Sequence, residues 1–120
     1  MREMPSLNLV VLRSPDLKRA AEFYSQLGLE FTEHQHGKGR VHLAAELEGG
    51  GVFELYPLAE NADPTIGTRV GFRVAELDAI VAGIAAHVGT ILQEPKESPW
   101  GRRAVVADPD GHKVELLQGA

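Results

Sequence analysis

A chain of 120 residues with 43% hydrophobic and 24% charged side chains is sized for one domain with its own core, which excludes wholesale disorder. Seventeen acidic against twelve basic side chains, a net charge of −5, argue against nucleic acid as the main partner, because phosphate binding needs a basic surplus or patch. Cysteine is absent, which removes disulfides, thiolate metal sites and thiol nucleophiles and fits a reducing cytoplasm.

The first apolar run, Leu7 to Leu12, is cut off by Arg13 and is too short for a secretory core or a membrane span. A soluble cytoplasmic protein with no membrane partner is therefore expected. The same run is dense in aliphatic and β-branched residues and predicts a strand. Ser14 and Pro15 follow as an expected helix N-cap and first helical residue. Leu17, Ala20, Ala21, Tyr24 and Leu27 then recur at helical spacing, and Gly28 ends the helix. Leu29 to Thr32, Val41 to Leu47 and Val52 to Tyr56 predict three more strands, with turns at Gly37-Lys38-Gly39 and Gly49-Gly50-Gly51.

A polar linker, Glu60 to Pro64, precedes a restart of the same pattern. Arg69 to Val74 predicts a strand, and Leu77, Ile80, Val81, Ile84 and Val88 mark a second amphipathic helix closed by Gly89. Thr90 to Gln93, Arg103 to Ala107 and Lys113 to Leu117 predict three strands, the last two joined by the turn Asp108-Pro109-Asp110-Gly111. Sixty positions separate Leu17 from Leu77 and Tyr24 from Ile84, and 61 separate Gly28 from Gly89 and Glu54 from Glu115. One inserted residue therefore aligns two βαβββ modules, about 7–57 and 68–118, in a single α+β domain. Such units pack together, because neither buries its own sheet alone.

Three features carry a family resemblance. They are the paired modules, the helix Pro15-Asp16-Leu17-x-x-Ala20-x-x-Phe23-Tyr24-x-x-Leu27-Gly28, and the ending Asp108-Pro109-Asp110-Gly111-His112-Lys113-Val114-Glu115-Leu116. Together they resemble the vicinal oxygen chelate superfamily, which includes glyoxalase I, bleomycin-resistance proteins and extradiol dioxygenases. The resemblance implies two curved mixed sheets forming an open cup for a small molecule, with a divalent ion at its centre in the metal enzymes. It also implies a homodimer, in some members with swapped modules.

In that family the metal ligands lie on the first and last strand of each module. Glu54 and Glu115 match the last-strand positions. The first-strand positions hold Leu9, which has no donor atom, and Arg69, whose guanidinium repels a cation. Two carboxylates alone fall short of the three or four protein ligands usual for catalytic zinc. No cofactor is therefore expected; the alternative is zinc, nickel, iron or manganese on Glu54 and Glu115 plus unidentified ligands. Arg69 is expected instead to sit between the two glutamates in place of the metal's charge. If that cluster is buried, Arg69→Ala should cost on the order of 3 kcal/mol.

Strand alternation sorts the remaining candidates. Leu9, Val11, Arg13, Glu54, Tyr56, Arg69, Gly71, Arg73, Lys113, Glu115 and Leu117 fall on the cup face. Val10, Leu12, Phe53, Leu55, Val70, Phe72, Val74, Val114 and Leu116 fall on the opposite face, uniformly apolar as a helix-packed surface should be. Arg13, Glu54, Tyr56, Arg69, Arg73 and Lys113 are thus candidate ligand-binding residues, and Arg13 matches an arginine that holds a glutathione carboxylate in glyoxalase I. Trp100, on a loop at the expected cup mouth, is the candidate for stacking on a ligand. His42 and Glu115 are the candidate acid–base residues. His34-x-His36 has a spacing metals use, but beside Gly37-Lys38-Gly39 it is expected at a solvated turn.

Three functional readings follow. The chain binds a small molecule without chemistry, or is a metal-dependent lyase, isomerase or dioxygenase of the glyoxalase I type, or is a metal-free enzyme using His42 or a cup carboxylate as base. The cup positions hold four cations against two carboxylates, with apolar wall between them. The expected ligand is a small amphipathic anion.

Overall fold

A computed structural model describes residues 3–119. The chain runs β1 (Leu9–Ser14), α1 (Leu17–Ser25), β2 (Phe31–His34), β3 (His42–Glu46), β4 (Val52–Pro57), β5 (Arg69–Arg73), α2 (Leu77–His87), β6 (Thr90–Ser98), β7 (Gly101–Ala107) and β8 (Lys113–Gln118). Each βαβββ module makes one four-stranded open sheet, ordered β1-β4-β3-β2 in the first and β5-β8-β7-β6 in the second. The identical order shows that the repeat read from residue spacing is a repeat of topology. In each sheet the first strand runs parallel to the last, because the helix crosses over between them, and the later strands are antiparallel.

The apolar face read from strand parity is the core. Leu12, Phe53, Leu55, Val114 and Leu116 are buried under the helices with Ala20, Phe23, Tyr24, Leu77, Val81 and Ile84. Both sheets turn this face to a common interior. Phe53 of β4 meets Phe72 of β5 edge to face at 5.5 Å, and Tyr24 of α1 lies 6.2 Å from Phe72. The two modules lie side by side in a flat molecule of 47 × 47 × 24 Å.

The terminal turn locks the modules together. The Asp108 carboxylate accepts from the Tyr24 hydroxyl (2.7 Å), from His112 Nδ1 (2.8 Å) and from the backbone N–H groups of Asp110 and His112 (both 3.0 Å). His112 Nε2 bonds Thr65 Oγ1 at 2.7 Å, and that oxygen accepts from the Arg13 backbone at 3.0 Å. Gly111, at φ +101°, closes the turn where a side chain would strain the backbone. Gly89 serves close approach instead. A Cβ there would lie 2.6 Å from Ile84 and 2.8 Å from Phe23, across the module boundary.

Three expected boundaries are corrected. Ser14 is the end of β1, and Asp16 caps α1 by accepting from the Arg19 N–H at 3.1 Å. Ser14 Oγ is already committed to the Asp16 backbone, so it cannot reach the first helical turn. β2 continues past Thr32 to His34 because it is an edge strand, where polar side chains are tolerated on both faces. β6 likewise runs through Pro95 to Ser98: it is an edge strand, and its register shifts there spare the ladder the missing N–H.

Candidate functional site

Each sheet has its own hollow on the face opposite the core. The hollow of the second module, about 770 Å³, is lined by Gly71 and Arg73 of β5, Arg103 of β7, Glu115 and Leu117 of β8, Phe72 and Trp100. Gly71, Arg73, Glu115 and Leu117 were placed there by strand alternation. The β5–β8 register explains the grouping, since Gly71 faces Glu115 and Arg73 faces Leu117. Trp100 sits at the tip of the β6–β7 hairpin and is 73% exposed. Ser98 Oγ donates to the Gly101 carbonyl at 2.6 Å and accepts from the Trp100 N–H at 3.3 Å, which fixes the turn that carries the indole.

Arg103 is the residue that sequence reasoning missed. Its partner in register is Leu117, so it shares the hollow, while Arg102 next to it points away. The Arg102 guanidinium instead donates to both oxygens of Asp78 at 2.9 Å and to Glu97 at 3.0 Å, tying α2 to β6. The signal was the two-residue period of β7, which sets Arg103 and Val105 on one face and Ala104 and Val106 on the other.

Glu115 accepts from Arg103 in a close ion pair, and Arg69 Nη2 lies 3.7 Å from the same carboxylate. Glu54 is elsewhere. It faces His42 Nε2 at 3.5 Å, on the other module. The expected bridge of Arg69 between two glutamates is thus half made, because each glutamate sits on its own sheet and the nearest cation differs. Arg69 is 50% exposed and Glu115 34% exposed. Arg69→Ala should therefore cost less than about 1 kcal/mol, as exposed ion pairs do. A urea midpoint unchanged within error would agree, whereas a cost near 3 kcal/mol would restore the buried cluster.

The hollow of the first module, about 760 Å³, is lined by Glu30, Thr32, His34, His36, His42, Ala44, Glu46, Val52 and Glu54 among others. His42 is buried, with its ring stacked 4.3 Å from Tyr56 at an interplanar angle of 6°. Arg13 lies 5.7 Å over the other ring of that stack, Tyr56, and donates to the Pro57 carbonyl at 3.4 Å. Lys113 opens β8 as an exposed residue outside both linings. The two hollows differ in charge. The cations Arg73 and Arg103 lie in the second, and carboxylates with imidazoles lie in the first. Summing all cup positions together concealed that division.

The residues at the four family metal positions do not fit an ion. Leu9 offers no lone pair, Arg69 is a cation, and the Glu115 carboxylate is already taken by two guanidiniums. Asp108, Asp110 and His112 bring three donor groups within 4.8 Å of one another. Asp108 and both nitrogens of His112 are spent on the inter-module network, while Asp110 gives that network only its backbone N–H and keeps a buried carboxylate oxygen with no hydrogen-bond partner among the described residues.

The comparisons with known proteins agree with this architecture. The family model described as Glyoxalase/Bleomycin resistance protein/Dioxygenase superfamily matches residues 6–116. A probable lactoylglutathione lyase of Vibrio cholerae is 32% identical over 120 residues, covering 90% of this chain and 86% of the relative. A glyoxalase/bleomycin resistance protein from Streptomyces sp. CB03234 is 27% identical in sequence and superimposes with a TM-score of 0.72, over 94% of this chain and all (100%) of that one. TnmS3, an antibiotic binding protein from the same Streptomyces strain, shares the fold with a TM-score of 0.76 at 24% identity and 100% coverage of both chains.

Proposed function

The chain belongs to the glyoxalase/bleomycin resistance protein/dioxygenase superfamily, and from that premise we propose that it binds a small amphipathic organic anion in the hollow of its second module. The observation that carries this reading is the pairing of Arg73 with the exposed indole of Trp100 across a hollow walled by Leu117 and Phe72. A planar apolar body stacks on the indole, and the guanidinium takes a carboxylate or a similar group. Arg103 is already neutralised by Glu115, and among the described residues Arg73 is the cation of this hollow with no ion pair, left to choose the ligand's charge. Since the four family metal positions do not fit an ion, recognition in this reading rests on side chains alone.

Trp100 is the only tryptophan, so its fluorescence reports on this hollow alone. A screen of paired anionic and cationic aromatic compounds should quench or shift that emission with the anions and raise the melting temperature. Stabilisation by cations alone, with Trp100 emission unchanged, would overturn the assignment.

The assembly we propose is a homodimer. β1 and β5 are each paired on one side only, and Leu9 on β1 is an apolar side chain 49% exposed. Open edges of this kind are normally covered or paired. A second copy also gives the open hollows a lid. Light scattering at micromolar concentration should return twice the 13.0 kDa chain mass. A single-chain mass would leave both hollows open to solvent and refute the dimer.

A further inference from the structure

The first module holds a cluster that the proposed ligand site does not use. His34 lies directly opposite His42 in the β2–β3 ladder, and its ring centre is 5.7 Å from that of His42. His36, two residues further on the same side, has its ring centre 5.3 Å from His42. We propose that His34, His36 and His42 form a binding site for a divalent zinc-, nickel- or copper-class ion, separate from the second-module hollow. Two imidazoles bound to one tetrahedral ion at metal–nitrogen distances of about 2.0–2.1 Å have ring centres roughly 5 Å apart. The His34–His42 and His36–His42 spacings are close to that value, with the rings now stacked at 21° and 25°. His34 and His36 are exposed, so their rings have room to rotate and turn nitrogens toward a shared ion.

The surroundings fit such an ion in two further ways. Thr32 Oγ1 holds His34 Nε2 at 2.9 Å, and the Glu54 carboxylate stands 3.5 Å from His42 Nε2. Both partners stand at Nε2; with Nε2 donating to them, Nδ1 keeps the lone pair that a metal needs, as an outer carboxylate or hydroxyl arranges for ligating histidines. Glu30, Glu46 and Glu54 line the same hollow and attract a cation to it. Imidazole-rich sets favour zinc, nickel and copper over magnesium or calcium. The site is open and built from exposed His34 and His36, so a readily exchanged ion held with micromolar affinity is expected rather than one that survives purification.

The test uses untagged, chelator-stripped full-length protein titrated with zinc by calorimetry. One ion per chain is expected. His34→Ala and His36→Ala should each weaken binding by about tenfold or more, and Glu54→Gln by a similar factor through His42. His87→Ala, at the exposed end of α2, should change nothing. Copper bound to the same protein should show nitrogen couplings in its electron paramagnetic resonance spectrum, and these should fall in number in the double variant His34→Ala/His36→Ala. Circular dichroism checks that the variants keep the fold. The proposal is overturned if no zinc binds at millimolar concentration, or if binding persists undiminished in the double variant. Neither outcome bears on anion binding at Trp100.

Discussion

Replacing Asp108 with alanine should cost on the order of 3–5 kcal/mol, a large part of the stability of a domain this size. Asp108 is 4% exposed and its carboxylate accepts from Tyr24, His112 and two backbone N–H groups, so its removal strands four donors at once, three of them buried. Tyr24 belongs to the first module and Asp108 to the second, so the loss falls on the contact between them. Urea unfolding followed by circular dichroism would measure the cost. Tyr24→Phe, which removes one donor and leaves the rest of the network intact, should cost about 1–3 kcal/mol. A midpoint unchanged by Asp108→Ala would mean that the aromatic contacts alone hold the modules together.

The same network sets a pH window. Burial pushes the Asp108 carboxyl up, but the hydrogen bonds from His112 and Tyr24 and the charge of His112 outweigh it and hold the group below the ordinary carboxylate range. Its contribution is therefore present above about pH 4, the unfolded value, and is lost as pH falls through the lower folded value. Tyr24 shifts the other way, raised by burial first and then by the charge and hydrogen bond of Asp108. Its contribution is full below about pH 10 and is lost as pH rises above it. Asp108→Ala should flatten the acid side of the stability profile, and Tyr24→Phe the alkaline side.

The second large effect concerns ligand charge. Arg73→Glu should weaken binding of the anions selected by the Trp100 screen by about a hundredfold or more, because a like charge then faces the ligand in a partly desolvated hollow. Lys38→Glu changes the net charge by the same amount in the distant β2–β3 turn and should leave the affinity within about threefold, since exposed distant charges are screened. Equal losses in the two variants would reveal a whole-molecule field instead of a placed cation. An unchanged affinity in Arg73→Glu would remove Arg73 from the site.

Much of the architecture is legible in the sequence, for a physical reason. The alternation of Phe53, Glu54, Leu55 and Tyr56 fixes which face of β4 is buried, and the same rule holds for β5 and β8. Repetition of landmarks at about sixty positions implied two equivalent sheets, and both sheets have the same strand order. Local rules were weaker at the edges. The strands expected to end at Thr32 and Gln93 run on to His34 and Ser98, because edge position is a property of the sheet and cannot be seen in a window of sequence.

The sequence by itself determined the repeat, the two faces of each sheet, the turn at Asp108-Pro109-Asp110-Gly111 and the mismatch of Leu9 and Arg69 with a metal. All of these depend on residue type and short spacing along the chain. Tertiary structure alone decided which charges meet. Parity assigns a side chain to a face but says nothing about distance across sheets, so Arg69 was expected to bridge Glu54 and Glu115 when it reaches only Glu115. The same limit hid Arg103, the stacking of His42 on Tyr56 and the separation of a cationic hollow from an imidazole-lined one. Side-chain pairing depends on how two curved sheets are placed side by side, and that placement comes from the shared packing of Tyr24, Phe53 and Phe72.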